Sequence, residues 1–266
     1  MCVGELDVNR LMSCSLVSCI NNFKLLGNIV IVTCAKDEVL YILKKQKLLS
    51  GEHRITVFDD CEVLPQKLID LPGWSKQQYF RLHADKLCST PIVACLSADT
   101  VFFKPVTGEL LLHNNAPIIF YNRYEHTSKH LEYERQRVEN VARLLKIHPT
   151  KSMEFGDFIM DFMLFEAGRL KELRNYLISI YGEDAFLQIL PKQSHTLEQK
   201  VSFGEWTLYA VFLLDVVKSD VTVRNSGNCF IAQVHSAREL ENFHFDAHIV
   251  HFVDKSLDLS KLPTSA

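Results

Sequence analysis

GNIVIVTCAKDEVLYILKK, residues 27–45, changes periodicity once, and that change sets the fold class. Ile29 to Val32 is an unbroken apolar run, the pattern of a parallel strand covered on both faces. Beyond it the apolar residues fall at helical spacing, with Asp37 and Glu38 in the first turn and lysines later, the order a helix dipole favours. Two further strands and one further helix follow. HRITVFDD (53–60) reads as a strand ending in acids, GWSKQQYFRLHADKL (73–87) as a helix, and PIVACLSAD (91–99) as a third strand. Strand, helix, strand, helix, strand predicts an α/β protein with a mainly parallel sheet flanked by helices. Such sheets bind ligands at the carboxyl ends of their strands. Here those ends carry Thr33 with Lys36 and Asp37, Asp59 with Asp60, and Ser97 with Asp99, so one sheet edge is expected to gather most of the chemistry.

The second half is less regular. APIIFYN (116–122) reads as a strand, LEYERQRVENVARLLKI (131–147) as an amphipathic helix, and 157–182 as a strand running into a helix. GEWTLYAVFLLDVV (204–217) reads as a buried helix and FDAHIVHFV (245–253) as a last strand. Without repeats, low-complexity tracts or a Pro/Gly linker, a single domain over 1–266 is expected.

Composition narrows the function classes. Hydrophobic residues at 47% and charged residues at 23% are those of a globular chain and exclude a fibrous or disordered one. A net charge of −3 provides no broad positive field, which argues against a nucleic-acid or membrane surface and leaves any anionic ligand to local groups. The 8 cysteines form no CxxC pair and read as buried free thiols of a reducing compartment. Glu5 and Asp7 precede LMSCSLVSCI (11–20), so a signal peptide's basic start is missing and the apolar run is too short to span a bilayer. A cytoplasmic protein without a transmembrane segment is the expectation.

Asp99 raises the chemical question. A carboxylate at the end of a buried strand, followed by Val101, Phe102 and Phe103, is costly unless it is paired or hydrogen-bonded. Either it caps a turn through its own backbone, or it holds a divalent ion. Mg²⁺ and Mn²⁺ take oxygen ligands and commonly use one or two carboxylates, with substrate phosphates completing the shell.

GWSKQQYFRLHADKL, PIVACLSADTVFFKPV (91–106), DFIMDFMLF (157–165) and FGEWTLYAVFLL (203–214), in this order, resemble a family of GT-A-type glycosyltransferase-like proteins of bacteria and large viruses. That family's pattern is a G-W-x-x-Q-Q helix, a strand ending D-x-D-T-x-F, an H-M-L-F strand and an S-E-Y-x-x-Y-G helix start. The resemblance covers roughly residues 27–215. It implies a GT-A (Rossmann-like) fold, with a nucleotide-binding half at about 27–106 and an acceptor half at about 107–266. It also implies transfer of a sugar from a nucleoside-diphosphate sugar donor to a glycan or other hydroxyl acceptor, assisted by Mn²⁺ or Mg²⁺ and inverting. Asp99 is then the metal-binding acid. Ser97 stands where the family's D-x-D has its first acid, and Ser97, Ala98, Thr33 and Asp59 are expected at the donor.

Lys36 and Arg81 are candidates for diphosphate contacts, with solvated surface charge as the alternative. Glu205 is the candidate general base, although a carboxylate also suits a helix N-terminus. Trp206 would stack on a sugar or pack in the core. Asp161, an acid inside an apolar stretch, ranks as an acceptor contact or alternative base; Asp157 and Glu154 read as loop charges. His251, His248 or Asp246 would complete the metal shell, and ordinary strand histidines are the alternative. Two other readings remain: a nucleotide-sugar-binding protein of this fold without turnover, suggested by Ser97, and a metal hydrolase using Asp59, Asp60 and the late histidines.

Overall fold

The structure, a computed structural model, describes residues 1–4, 7–50, 54–122, 128–156, 158, 162–190, 203–227, 231–234 and 247–252. In chain order the strands that position functional groups are β1 (Cys2–Val3), β2 (Ile29–Thr33), β3 (Ile55–Asp59), β4 (Ile92–Leu96), β5 (Thr100–Phe102), β6 (Ile119–Tyr121), β7 (Phe162–Glu166), β8 (Val223–Asn225), β9 (Ile231–Val234) and β10 (Ile249–Phe252). The corresponding helices are α1 (Lys36–Lys45), α2 (Gly73–Leu82), α3 (Ala84–Leu87), α4 (Ser128–Leu144), α5 (Ala167–Tyr181) and α6 (Glu205–Val211). They fall into two compact units, Met1–Val63 with Leu96–Leu112 and Ser226–Ala266, and Leu64–Cys95 with His113–Asn225.

In the first unit β1, β2 and β3 form a parallel sheet in which Ile31 pairs with Val57 and Thr33 with Asp59. Ile29, Ile31 and Val57 are buried, and Val8, Leu11, Met12 and Leu16 of the helical segment 8–22 join them in one apolar cluster. That segment's buried residues recur at a spacing of three and four, so one stripe faces the sheet. Val39 and Leu43 of α1 add a second helix to the cluster. A second sheet runs in the order β9, β10, β5, with β10 parallel to β9 and antiparallel to β5.

In the second unit β6 pairs in parallel with β8, and β4 pairs with β7. Here α6 is buried along its whole length, and the π-helical turn Phe212–Val217 continues it. Asp215 in that turn accepts the backbone N–H groups of Thr150, Lys151 and Ser152, so this buried acid caps the 3₁₀ turn Lys151–Glu154.

Three expectations change. The segment 91–99 does not extend the β2–β3 sheet: β4 ends at Leu96 and pairs with β7 instead. Strand partners are chosen by contacts distant in sequence, which local periodicity does not encode. Helix 73–87 breaks at His83 into α2 and α3. Among the cysteines of the described residues, Cys19 and Cys95 are buried, Cys14 and Cys88 half-buried, and Cys34 and Cys61, which follow strand ends, exposed, so the expectation of uniformly buried thiols fails. No helix among the described residues is long and apolar enough to cross a membrane.

Candidate functional site

In the first unit, polar groups collect where β2 and β3 end. Thr33 is buried, and its Oγ1 accepts the Ala35 N–H at 3.1 Å, so the hydroxyl closes the turn that leads into α1. Lys36 opens that helix, and its Nζ lies 2.9 Å from both oxygens of Glu62. Glu62 also accepts the Asp59 N–H at 2.8 Å, while Asp59 accepts the Cys61 N–H at 3.1 Å. This reciprocal arrangement is a capping box, D-x-x-E, at Asp59 to Glu62. Glu62 is the residue sequence reasoning missed, and the D-x-x-E spacing was the signal for it.

The hydrogen bond from Lys36 holds the Glu62 carboxyl below its ordinary range, and the same bond raises the Lys36 ammonium. Hydrogen bonds from Cys61, side chain and backbone, likewise hold Asp59 low. Asp59, Asp60 and Cys61 bring possible ligand atoms within 4.8 Å of one another. The hydrogen bond to Asp59 pushes the Cys61 thiol up, however, away from the thiolate a metal requires. Capping accounts for this cluster.

Ser97, Ala98 and Asp99 lie between β4 and β5. Ala98 and Asp99 form a turn, closed by the Thr100 N–H on the Ser97 carbonyl at 3.3 Å. Ser15 clamps the turn from the helical segment 8–22, its Oγ 2.5 Å from the Thr100 carbonyl oxygen, to which it donates, and 3.4 Å from that of Ser97. Ala98 is buried in the apolar cluster with Ile31 and Val57, each two residues short of its strand's carboxyl end. Asp99 is half-buried in the turn, not sealed at the end of a strand as its apolar flanks suggest. The turn leaves Asp99 partly exposed, which relieves much of the desolvation cost expected of this carboxylate.

The late histidines separate. In the β10–β5 ladder His251 stands opposite Thr100, the residue after Asp99. His248 precedes that strand; its Nδ1 donates to the Pro105 carbonyl at 2.9 Å, and its own carbonyl accepts the Phe103 N–H at 2.9 Å. Its ring is thus engaged in joining two chain segments. Asp157, Asp161, His244 and Asp246 lie outside the described residues.

The second unit brings together residues of three of the four quoted segments. One face of α2 buries Ser75, Gln78 and Arg81, at a spacing of three. Arg81 forms an ion pair with Glu205, the first residue of α6, and Gln78 Oε1 accepts the Glu205 N–H at 3.2 Å. Arg81 is therefore a buried cation and not a solvated surface charge. Its guanidinium lies 4.7 Å from the Trp206 ring centroid, within cation–π range. Trp206 in turn stacks on Phe165 of β7 at 5.4 Å, and Tyr209 meets Phe165 edge-on at 4.7 Å. Tyr209 completes the cluster by accepting the Glu166 N–H at 3.0 Å. Trp206 is only 1% exposed, which assigns it to the core. Glu205, 3% exposed and engaged with Arg81, sits where a helix N-terminus favours a carboxylate. Glu154 is exposed, as a loop charge should be.

These elements define an α/β protein with a GT-A-like glycosyltransferase fold. Mouse xyloside xylosyltransferase 1, in a crystal structure of its apo form, is similar with a TM-score of 0.51 at 13% sequence identity, covering 94% of this chain and 95% of that one. The chain belongs to DUF6492, a family of unknown function, whose model matches residues 4–247. No curated protein matches it in sequence.

Proposed function

We propose that the protein is a glycosyltransferase that takes a nucleoside-diphosphate sugar at the carboxyl ends of β2 and β3 and transfers the sugar, with inversion, to an acceptor hydroxyl. The observation that carries this reading is the polar edge of the first unit. Thr33 and Asp59 are paired in register, Lys36 stands at the helix start beyond Thr33, and the turn bearing Asp99 is anchored through Ala98 in the same apolar cluster. Parallel α/β sheets receive nucleotides at this end. The fold likeness to a xylosyltransferase supports the class of reaction.

The residues fit a hard divalent cation. Asp99 offers a half-exposed carboxylate, and His251, the second ligand of this reading, pairs in backbone register with Thr100, the next residue. One or two protein ligands suffice for Mg²⁺ or Mn²⁺ when phosphates supply the rest. Bound there, the ion would provide positive charge against the departing diphosphate. Ser97 contributes a neutral hydroxyl to donor binding, and Lys36 a cation once it exchanges Glu62 for phosphate. Glu205 is the proton acceptor in this scheme, which requires its carboxylate to exchange Arg81 for the acceptor hydroxyl; Asp161 is the alternative base.

A second reading, a nucleotide-sugar-binding protein without turnover, is favoured by two observations. Ser97 brings no charge where the resembling family has an acid, and Glu205 is already committed to Arg81. Thermal melting with a panel of nucleoside-diphosphate sugars, with and without Mn²⁺, tests donor binding, because a ligand at about 100 times its Kd adds about 2.7 kcal/mol to the native state. Release of nucleoside diphosphate from the stabilising donor then separates the readings. Turnover establishes the transferase, stabilisation without release establishes the binding protein, and a melting point unmoved by every donor refutes both.

A further inference from the structure

A cavity of about 470 Å³ opens in the second unit, lined in part by α2, α3 and α5. Its floor is aromatic. Tyr79 and His83 stack with ring centroids 3.9 Å apart, and Phe186 meets them edge-on at 5.5 Å and 4.7 Å. One wall is stiffened by Arg174, buried, which grips both oxygens of Asp85 at 2.5 and 2.6 Å and the Leu82 carbonyl at 2.7 Å. With these charges satisfied internally, the wall is a fixed surface and not a reservoir of free charge.

Lys67 and Asp184, also in the lining, form an ion pair with each other, and four further polar groups are uncommitted. Lys86, Lys171, Asn175 and Glu183 line the cavity, and their side chains make no hydrogen bond or ion pair with any described residue. Lys171, Arg174, Asn175 and Ile178 all lie on one face of α5, at the three-and-four spacing that points side chains the same way. Tyr79 lines the cavity, and its hydroxyl, which has no hydrogen-bond partner among the described residues and is not one of the buried unpaired atoms, is open to solvent there. A solvent-accessible hydroxyl at a cavity wall is available to a ligand in exchange for water. His83 donates from Nδ1 to the Tyr79 carbonyl at 2.9 Å, which leaves Nε2 as an acceptor.

The mixture selects a ligand class. Ring edges with interspersed donors and acceptors suit a polyhydroxyl body, whose C–H groups pack on the rings while its hydroxyls take the polar groups. A nucleobase would need an open ring face. Here Tyr79 and His83 cover each other, and Phe186 is only 8% exposed. The two unpaired lysines, against one unpaired carboxylate, add a preference for negative charge.

We infer that this cavity binds an anionic saccharide, its phosphate or carboxylate held by Lys86 and Lys171 and its hydroxyls by Tyr79, His83, Asn175 and Glu183. The site belongs to the second unit and does not depend on the donor reading.

Calorimetric titration of the full chain with D-glucose 6-phosphate, D-glucuronate, D-glucose and inorganic phosphate tests it. At least one charged sugar should bind about tenfold more tightly than glucose and than inorganic phosphate, as loss of a charge-assisted hydrogen bond or of the sugar's hydroxyl contacts would give. Which of the two charged sugars binds identifies the anion. Lys86→Glu with Lys171→Glu should weaken that sugar by about tenfold or more. Lys44→Glu with Lys45→Glu, the same change in net charge on exposed positions of α1, should leave it unchanged. Tyr79→Phe should weaken the sugar severalfold and leave inorganic phosphate unaffected. The inference is overturned if neither charged sugar binds at about 10 mM, if inorganic phosphate or glucose binds as tightly, or if the Lys86 and Lys171 reversals have no effect. Failure here leaves the donor-melting experiment untouched, and failure there leaves this one standing.

Discussion

Removing the Glu205 charge should damage the fold of the second unit before it damages any chemistry. Arg81 and Glu205 are both buried and form an ion pair 124 residues apart in sequence. In Glu205→Leu, Arg81 retains its Trp206 contact at 4.7 Å but loses its anion in a site where water cannot replace it. An uncompensated buried charge costs about 3–5 kcal/mol. At about 2–4 °C per kcal/mol for a unit of this size, the melting point should fall by roughly 6–20 °C. Arg81→Met should destabilise similarly, because it leaves the Glu205 carboxylate buried without its cation. The double variant should recover most of the loss, since two apolar side chains of similar volume replace the pair at little net cost. Urea denaturation of the four proteins, read as a double-mutant cycle, measures the coupling. If Glu205→Leu costs less than about 1 kcal/mol, or if the two single losses merely add, the ion pair is not the fastening described above.

Three further outcomes follow from the geometry. Asp99→Asn should abolish Mn²⁺-dependent donor stabilisation in thermal melting while leaving the ligand-free stability within about 0.5 kcal/mol of the parent; retained Mn²⁺ dependence would reduce Asp99 to a turn former. Burial pushes the His83 imidazole down to about 3 from 6.5, so the unfolded chain binds the extra proton between those values. The stability due to His83 is therefore complete above about pH 6.5 and declines toward pH 3 at up to about 1.4 kcal/mol per pH unit. His83→Gln should flatten that slope, and an unchanged pH profile by denaturant titration would exclude it as the source. Ala98→Leu should overpack the cluster holding Ile31 and Val57 and cost about 1–3 kcal/mol, measured by the urea midpoint, whereas a neutral substitution would mean that the turn is not anchored there.

The sequence by itself determined the fold class and the ends of its early elements. Ile29–Thr33 and Ile55–Asp59 are strands because their apolar runs can be buried on both sides, and α1 starts at Lys36 because acids in its first turn and lysines in its last suit the dipole. The buried helix at Glu205 was equally legible, since a continuous apolar run of that length has to be covered. Tertiary structure alone decided the partners. It paired β4 with β7 rather than with the β2–β3 sheet, set Asp99 half-exposed in a turn, and gave Arg81 to Glu205 where the resemblance had implied a phosphate contact and a solvated charge was the alternative. Periodicity records which face of a segment is apolar, a local property. Which distant segment covers that face, and which buried cation meets which anion, depends on packing among residues a hundred or more positions apart, where no local pattern reaches.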